Sequence, residues 1–300
     1  AVDTTGRVNG KAAIMLKDMA NVPLSDTARW DAFMNQLTYD EMKSLFTSAQ
    51  PALAAIGKAK DANTDRPLNL GKTFTWADAP LQAATFNTEL IHRMGELTAE
   101  MALQVGTTGW WGPGANTNRS HFDGRCKEYY SQDAILGGFM GAAASDGASS
   151  KGVIVYIKHF ALHNEEDIGN SANYFLSEQA FRENYLPAFK KTMQEGHAAG
   201  TMPNAQKEGC YMQGTHNYDF LVTLSRDEWG WDGEHVSDMI MGQNAAAFVD
   251  PRVPEADKAK YEIKRVNNNN LDLLLRTTCT PMSSPSFKLT GVWDTTLRDG

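Results

Sequence analysis

The 300-residue sequence has few cysteines and no long apolar run, and both shortages narrow what the protein can be. Its three cysteines, Cys126, Cys210 and Cys279, lie too far apart for a CxxC metal or redox motif, and their odd number leaves at least one unpaired within the chain. No apolar stretch approaches the roughly 20 residues that a membrane-spanning helix needs. Ala1 does not begin a signal peptide. We therefore expect a soluble protein with no membrane partner, and we favour a secreted or periplasmic location.

The sequence also lacks an excess of basic residues. Lys and Arg number 28 against 36 Asp and Glu, which gives a formal net charge of -8 at pH 7. This balance opposes binding to nucleic acid or to an anionic membrane. A neutral partner, such as a small carbohydrate, fits the charge better.

Apolar strands alternate with amphipathic helices along the chain. Gly152–Ile157 is a continuous apolar, β-branched run, which is typical of a strand buried on both faces. The spacing of apolar residues predicts a helix over Thr88–Val105, which Gly106 ends. Such alternation indicates a parallel α/β fold. One pass of these units predicts a (β/α)8 TIM-type barrel, regular or irregular, over residues 30–300, after a lead-in segment at residues 1–29.

Two helix starts can be predicted from capping chemistry. Apolar residues keep helical spacing over Trp30–Phe46. Within that range, Thr38 and Glu41 have the capping-box spacing that can start a new helix. Farther along, Ser131 is predicted to cap a helix that runs to about Ala144.

The segment 226–238 has the pattern of a helix end, a tight turn and a short buried strand. The turn is Trp229-Gly230-Trp231-Asp232-Gly233, in which Asp-Gly is strong turn chemistry. His235 and Val236 continue as a strand, and Asp238 lies where that strand ends. In a parallel α/β barrel the carboxyl ends of the strands carry the chemistry. Asp238 is therefore a candidate catalytic carboxylate, although an aspartate after a strand is more often a cap or turn residue.

Three further segments contain polar residues that can be considered together with Asp238. Lys158-His159-Phe160 follows the apolar strand directly, Gly124-Arg125-x-x-Glu128-Tyr129-Tyr130-Ser131-x-Asp133 precedes the helix before that strand, and Trp110–Arg119 has the pattern of a short strand and loop. Together the four segments resemble glycoside hydrolase family 3, the β-glucosidase and β-xylosidase family. The resemblance implies a cofactor-free and metal-free retaining hydrolase of β-linked glucosides or related neutral sugars, with a covalent glycosyl-enzyme on Asp238.

The resemblance also implies roles for the other candidates. Arg125, Lys158 and His159 would orient the sugar and, as cations, keep the nucleophile ionised. Asp65 would hold distal sugar hydroxyls, although Arg66 replaces the glycine that the family has after this aspartate.

Each of these residues has a simpler interpretation as well. Arg125 could form a surface salt bridge, and Asp65 could be a turn residue, with Asp78 as a competing match to the family's aspartate. Asn118 begins an N-glycosylation sequon. We interpret that sequon as accidental, because a glycan there would block the proposed site.

The acid/base that retaining hydrolysis requires is missing from the motifs. The resemblance implies that it comes from a Glu in a second α/β sandwich domain, which would then be a partner, or from a His in an Asp-Ser/Thr-His motif. Residues 165–174 contain no such motif. A non-catalytic barrel that binds carbohydrate or serves as a scaffold is therefore the alternative function.

A zinc site is a second alternative. His159, His163 and Glu166 have the i, i+4 and i+7 spacing with which a helix can bind zinc. However, the preceding strand is predicted to end at His159, so helical spacing is not expected there.

Overall fold

The computed structural model describes residues 7–8, 11–47, 51–65, 76–120, 123–163, 173–208, 212–214, 217–238 and 279–280. The strands in chain order are β1 (Arg7–Val8), β2 (Lys11–Ala12), β3 (Asn63–Thr64), β4 (Gly109–Gly114), β5 (Ile154–Phe160), β6 (Asn173–Tyr174), β7 (Gly200–Pro203), β8 (Lys207–Glu208), β9 (Met212–Gln213), β10 (Glu234–Val236) and β11 (Cys279–Thr280).

The helices in chain order are α1 (Thr27–Met34), α2 (Tyr39–Thr47), α3 (Ala79–Ala83), α4 (Thr88–Gln104), α5 (Ala134–Ser149), α6 (Glu178–Asn184), α7 (Leu186–Gln194) and the π-helical α8 (Asp219–Glu228). Short 3-10 turns lie at Leu16–Met19 and Ala54–Ile56. Within the described ranges, none of these helices combines the length and apolarity that a bilayer crossing requires.

A six-stranded sheet forms the centre of the fold, in the spatial order β11-β10-β7-β5-β4-β3. Every neighbouring pair in it is parallel, as in the pairing of Ile157 with Thr201 and of His235 with Thr201. The central strand β5 has almost no exposed side chain, because both faces of a parallel sheet are covered. The predicted strand is confirmed and extends through Lys158-His159-Phe160.

Successive residues of each strand point to opposite faces of the sheet, as the strand period requires. Trp110 packs in the large cluster between sheet and helices, whereas Trp111 joins Tyr156, Met202 and Val236 on the other face. The rings of Trp111 and Tyr156 lie 4.4 Å apart between centroids. Continuous apolar strands of this kind therefore supply two cores, one on each face of the sheet.

Local signals predicted some helices well and others less well. The helix predicted over 88–105 is confirmed as α4, and Gly106 follows it with a φ of 74°. The helical stretch predicted over 30–46 is divided, and the new helix start predicted at Thr38 is confirmed: α1 ends at Met34 and α2 begins at Tyr39. The capping box explains the new start: the Thr38 backbone N–H donates to Glu41 Oε2 at 2.8 Å, and the Glu41 N–H donates to Thr38 Oγ1 at 3.2 Å.

The cap predicted at Ser131 is also wrong. Asp133 caps α5, and its Oδ1 accepts from the backbone N–H of Ile135 at 2.7 Å. Ser131 instead accepts from the Asp133 N–H through its hydroxyl at 2.9 Å, one step before the helix. The helix continues past Ala144 to Ser149 because its small residues there are buried against α4.

A smaller core lies near the beginning of the chain. It is formed by Ala12, Met19, Phe33, Leu37, Leu53 and Ile56. Helix α1 begins at Thr27 and therefore crosses the boundary predicted between the lead-in segment and the barrel. The division at residues 1–29 and 30–300 stays a prediction.

Helices α4 and α5 approach so closely that glycine is required at their contact. A Cβ on Gly95 would lie 2.2 Å from the carbonyl oxygen of Ala144, and one on Gly147 would lie 2.1 Å from the carbonyl oxygen of His92. Backbone atoms cannot move aside as a flexible side chain can, so a methyl group at either position would separate the two helices.

We expect Gly147→Ala to lower the free energy of unfolding by about 2 kcal/mol, as overpacking does in other cores. The matched control is Gly137→Ala on the same helix, where the new Cβ would meet only Ala188 Cβ at 3.8 Å. That control should be neutral or stabilise by about 0.5 kcal/mol, because alanine favours helix more than glycine does. Urea unfolding of both variants checks this, and equal effects would contradict the packing argument.

Candidate active site

The predicted site residues gather at one edge of the central sheet. Lys158 and His159 belong to the last part of β5, Asp65 follows β3 directly, and Asp238 lies two residues after β10. Because all these strands are parallel, their carboxyl ends meet at the same edge. Arg125 joins them from the turn that precedes Tyr129.

Lys158 is the buried centre of an ion-pair cluster. Its side chain is only 5% exposed, and its Nζ contacts Asp65 Oδ1 and, at 2.7 Å, Glu128 Oε1. Arg125 Nη1 binds the other oxygen of Glu128 at 2.7 Å. Burial by itself would lower the pKa of Lys158, but the neighbouring carboxylates of Glu128 and Asp65 outweigh it and raise that pKa. The lysine therefore remains a cation.

Burial and neighbouring charges also oppose each other at Glu128, but there each shifts the pKa in the direction opposite to its effect on Lys158. Burial by itself would raise the pKa of its carboxyl group, yet Lys158 and Arg125 together hold that pKa below its usual value. Glu128 is thus an anion between two cations, and it fixes the position of both.

His159 faces the candidate nucleophile. Its Nε2 lies 3.9 Å from Asp238 Oδ2, which is longer than a hydrogen bond. The hydroxyl of Tyr129 lies 2.9 Å from the other ring nitrogen, Nδ1. Asn116 holds the backbone, since its Nδ2 donates to the His159 carbonyl at 2.9 Å and its Oδ1 accepts from the His159 N–H at 2.6 Å.

The prediction that His159 is a cation is wrong. Burial lowers the pKa of His159 well below 6.5, and the nearby His163, Lys158 and Arg125 act in the same direction. The ring is therefore neutral around pH 7. It can still donate one N–H, but it adds no positive charge beside Asp238.

The His159 and His163 rings are stacked, with centroids 4.3 Å apart and planes 21° apart. His159 lies in a strand, so the two residues do not have the helical spacing of a zinc motif. Glu166 lies outside the described residues. Among the residues that are described, no group of three or more His, Cys, Asp or Glu side chains is arranged to hold a metal ion.

A cavity of about 320 Å³ opens beside the ion-pair cluster. Asp65, Arg125, Glu128 and Lys158 line it together with aromatic side chains that include Trp111. Aromatic walls with a few fixed polar groups are typical of small-molecule sites.

The contacts of Arg125, Asp65 and Asn118 show whether each residue is only a surface, turn or sequon residue. Arg125 does form a salt bridge, but its partner is Glu128 inside the site. Asp65 pairs with Lys158, whereas Asp78 lies at the start of α3 without a side-chain cap bond. Asn118 is buried, and its Nδ2 donates to the carbonyl of Tyr129 at 2.7 Å, so the amide of the sequon is already engaged.

Three residues of the site were not among the predicted candidates, namely Asn116, Glu128 and Tyr129. The last two lie inside the motif around Arg125, which was the available signal. Asn116 lies in Trp110–Arg119, a strand and loop that also resembles a segment of the family, and this resemblance was the available signal. Its contact with His159 could not be predicted, because the two residues are 43 positions apart.

Comparison with known proteins identifies the family of this region. The family profile described as "Glycosyl hydrolase family 3 N terminal domain" matches residues 60–270. An exo-alpha-(1->6)-L-arabinopyranosidase of Bifidobacterium longum is 36% identical over 159 residues, which are 52% of this chain and 20% of that protein. A probable beta-glucosidase I of Aspergillus flavus is 34% identical over 158 residues, 52% of this chain and 18% of that protein. The matched region thus spans about a fifth of the length of these curated relatives.

The fold also matches solved structures. The β-glucosidase of Paenibacillus barengoltzii superposes with a TM-score of 0.69 and 25% sequence identity, over 80% of this chain and 28% of that one. This likeness confirms the predicted α/β class and (β/α)8 barrel. The six parallel strands of the central sheet are part of that barrel.

We expect Glu128→Gln to lower the free energy of unfolding at pH 7 by about 2 kcal/mol, because it removes an anion that the buried Lys158 and the half-buried Arg125 share. Glu178→Gln is the control, since Glu178 pairs with Arg182 on the surface and its side chain is 76% exposed. An exposed pair of this kind contributes little.

The stabilising contribution of the Glu128 carboxylate depends on pH. The folded pKa of Glu128 is below 4.5, so its contribution is complete above pH 4.5 and is lost as pH falls through the folded pKa. The difference in stability between the natural chain and Glu128→Gln should therefore shrink in acid. A difference that stays constant from pH 7 to acid, measured by urea unfolding, would contradict the assignment.

Proposed function

Because the chain belongs to glycoside hydrolase family 3, we propose that it is the barrel of a retaining glycoside hydrolase that acts on β-linked glucosides or related neutral sugars. Asp238 is its nucleophile. The observation that carries the proposal is the position of Asp238: it follows β10 at the carboxyl edge of the parallel sheet, its side chain is 17% exposed, and its Oδ2 lies 3.9 Å from His159 Nε2.

The chemistry proceeds in two displacements. An Asp238 carboxylate oxygen attacks the anomeric carbon, and the bond from that carbon to the leaving-group oxygen breaks as an acid gives that oxygen a proton. Water then attacks the same carbon, gives a proton to the conjugate base and releases Asp238. The neutral sugar and the free alcohol are the products, and the enzyme returns to its starting state.

The other residues hold the sugar in this proposal. Lys158 and Arg125 donate to sugar hydroxyls, while the carboxylates of Asp65 and Glu128 accept from them. His159 contributes a neutral N–H donor close to Asp238. Donors and acceptors that are already fixed by one another lose little freedom when the sugar binds.

The acid/base lies outside the residues assigned here. We propose that a second domain of the whole protein supplies it as a partner to this barrel, which agrees with a matched region of about a fifth of the relatives' length. The relatives also bear two kinds of name, an arabinopyranosidase and a β-glucosidase, so the sugar is a question for experiment.

The test is mass spectrometry of the intact protein after incubation with a 2-deoxy-2-fluoro-β-glucoside that carries a good leaving group. Such a leaving group departs without protonation, so the result does not depend on the acid/base. We expect one glycosyl adduct on the natural chain and none on Asp238→Asn. Asp232→Asn is the matched control, because Asp232 lies on the exposed turn of the same segment and should leave the adduct unchanged.

Parallel incubations with the matching β-xyloside and α-L-arabinopyranoside identify the sugar class. An adduct that persists in Asp238→Asn would exclude Asp238 as the nucleophile. The absence of an adduct with all three sugars would favour a non-catalytic barrel that binds carbohydrate or serves as a scaffold.

A further inference from the structure

We propose that Tyr129 is a positioning residue, whose hydroxyl holds His159 in the tautomer that presents Nε2–H to Asp238. This inference rests on the proposed function for its catalytic consequence, but the contact between Tyr129 and His159 is independent of it. Neither the motif around Arg125 nor Lys158-His159-Phe160 predicts that the two residues meet, because they lie 30 positions apart.

Two contacts of the imidazole favour one tautomer. A neutral imidazole has one N–H donor and one bare acceptor nitrogen, and a phenol has one O–H. Asp238 Oδ2, a carboxylate oxygen, lies 3.9 Å from Nε2, whereas the Tyr129 hydroxyl lies 2.9 Å from Nδ1. If Nδ1 carried the proton, the bare lone pair of Nε2 would face a carboxylate. With the proton on Nε2, Tyr129 donates to Nδ1 and both sides of the ring are favourable.

Burial strengthens the preference of His159 for this tautomer. Tyr129 is 0% exposed and His159 is 2% exposed, so bulk water does not compete for either group. A buried hydrogen bond that is lost leaves an unsatisfied polar atom, which carries a full desolvation penalty. The stacked ring of His163 restrains the plane of the imidazole, and the bonds from Asn116 hold the main chain of His159. The hydrogen bond with Tyr129 is the contact that acts on a ring nitrogen itself.

The backbone holds Tyr129 in place for this contact. Its carbonyl accepts from Asn118 Nδ2 at 2.7 Å, and its main chain forms a parallel bridge with Gly114 at the end of β4. A Cβ on Gly114 would lie 2.8 Å from Cδ1 of the Tyr129 ring. Glycine at that position therefore lets the tyrosine approach the strand end and reach His159.

The consequence concerns the nucleophile. Hydrogen bonds of an active site are often long in the free enzyme and shorten when substrate binds. An Nε2–H that already points at Asp238 needs a movement of only about 1 Å to become a hydrogen bond. It would then fix which carboxylate oxygen attacks, as a correctly held tautomer does in other catalytic groups.

The test is a double-mutant cycle with two readouts. Tyr129→Phe removes the hydroxyl, and His159→Gln keeps an N–H donor but has no tautomers. The first readout is ¹⁵N NMR of labelled histidine, in which the His159 signals are those lost in His159→Gln. The second is the rate of adduct formation with the 2-fluoroglucoside. Tyr185→Phe is the control, because Tyr185 is a buried tyrosine at the junction of α6 and α7 outside the site.

In the natural chain we expect Nδ1 to be the unprotonated nitrogen and Nε2 the protonated one. Tyr129→Phe should mix the two tautomers and slow adduct formation about tenfold, the effect of one hydrogen bond. In the His159→Gln background the same change should have no further effect. Tyr185→Phe should alter neither readout.

Two results would overturn the inference: an unchanged His159 spectrum in Tyr129→Phe, or a rate effect that is equally large in the His159→Gln background. The proposed function can fail separately. If the natural chain forms no adduct, the NMR comparison still decides whether Tyr129 sets the tautomer of His159.

Discussion

A buried ammonium group needs carboxylates beside it, and the site of this protein is built around that need. Removing an ion from water costs several kcal/mol even after the protein relaxes. Lys158 lies in the last part of the enclosed strand β5, and Asp65 and Glu128 compensate its charge. To do so, the end of β3 and the turn that carries Glu128 must both meet β5. The ion pairs therefore join three separate parts of the chain at the edge where the chemistry is proposed.

The charges of the cluster also change the expected electrostatics. The sequence suggests three cations around one nucleophile, whereas the structure has two cations, Lys158 and Arg125, paired with two carboxylates, and a neutral His159. The positive field at Asp238 is thus smaller than the motifs imply. The groups that face a sugar alternate in sign, and this pattern suits a neutral polyol, whose hydroxyls both donate and accept.

Features of the fold and site could be predicted from the sequence where the residues that determine them lie close together in the chain. Strand β5 and helix α4 were predictable because their periodicity lies within one segment, and the carboxyl-edge position of Asp238 followed from a turn and a strand that are adjacent in sequence. The cap of α5 was misplaced by two residues because Ser131 and Asp133 both have capping side chains. The charge of His159 could not be predicted, since burial depends on the whole fold. Asn116 and Tyr129 were missed as site residues for the same reason: their partners are distant in sequence.

The buried amide of Asn118 has a consequence for how the protein is produced. Its nitrogen donates to two backbone carbonyls, those of Tyr129 and Cys126, and these bonds tie down the turn next to the ion-pair cluster. In a eukaryotic secretory host, oligosaccharyltransferase meets the nascent chain before such bonds exist. A glycan attached at that moment would occupy the Asn118 nitrogen that the folded turn requires. Glycosylation of Asn118 would therefore compete with folding of this turn. A bacterial host, or an Asn-x-Ser sequon broken at Ser120, removes that competition.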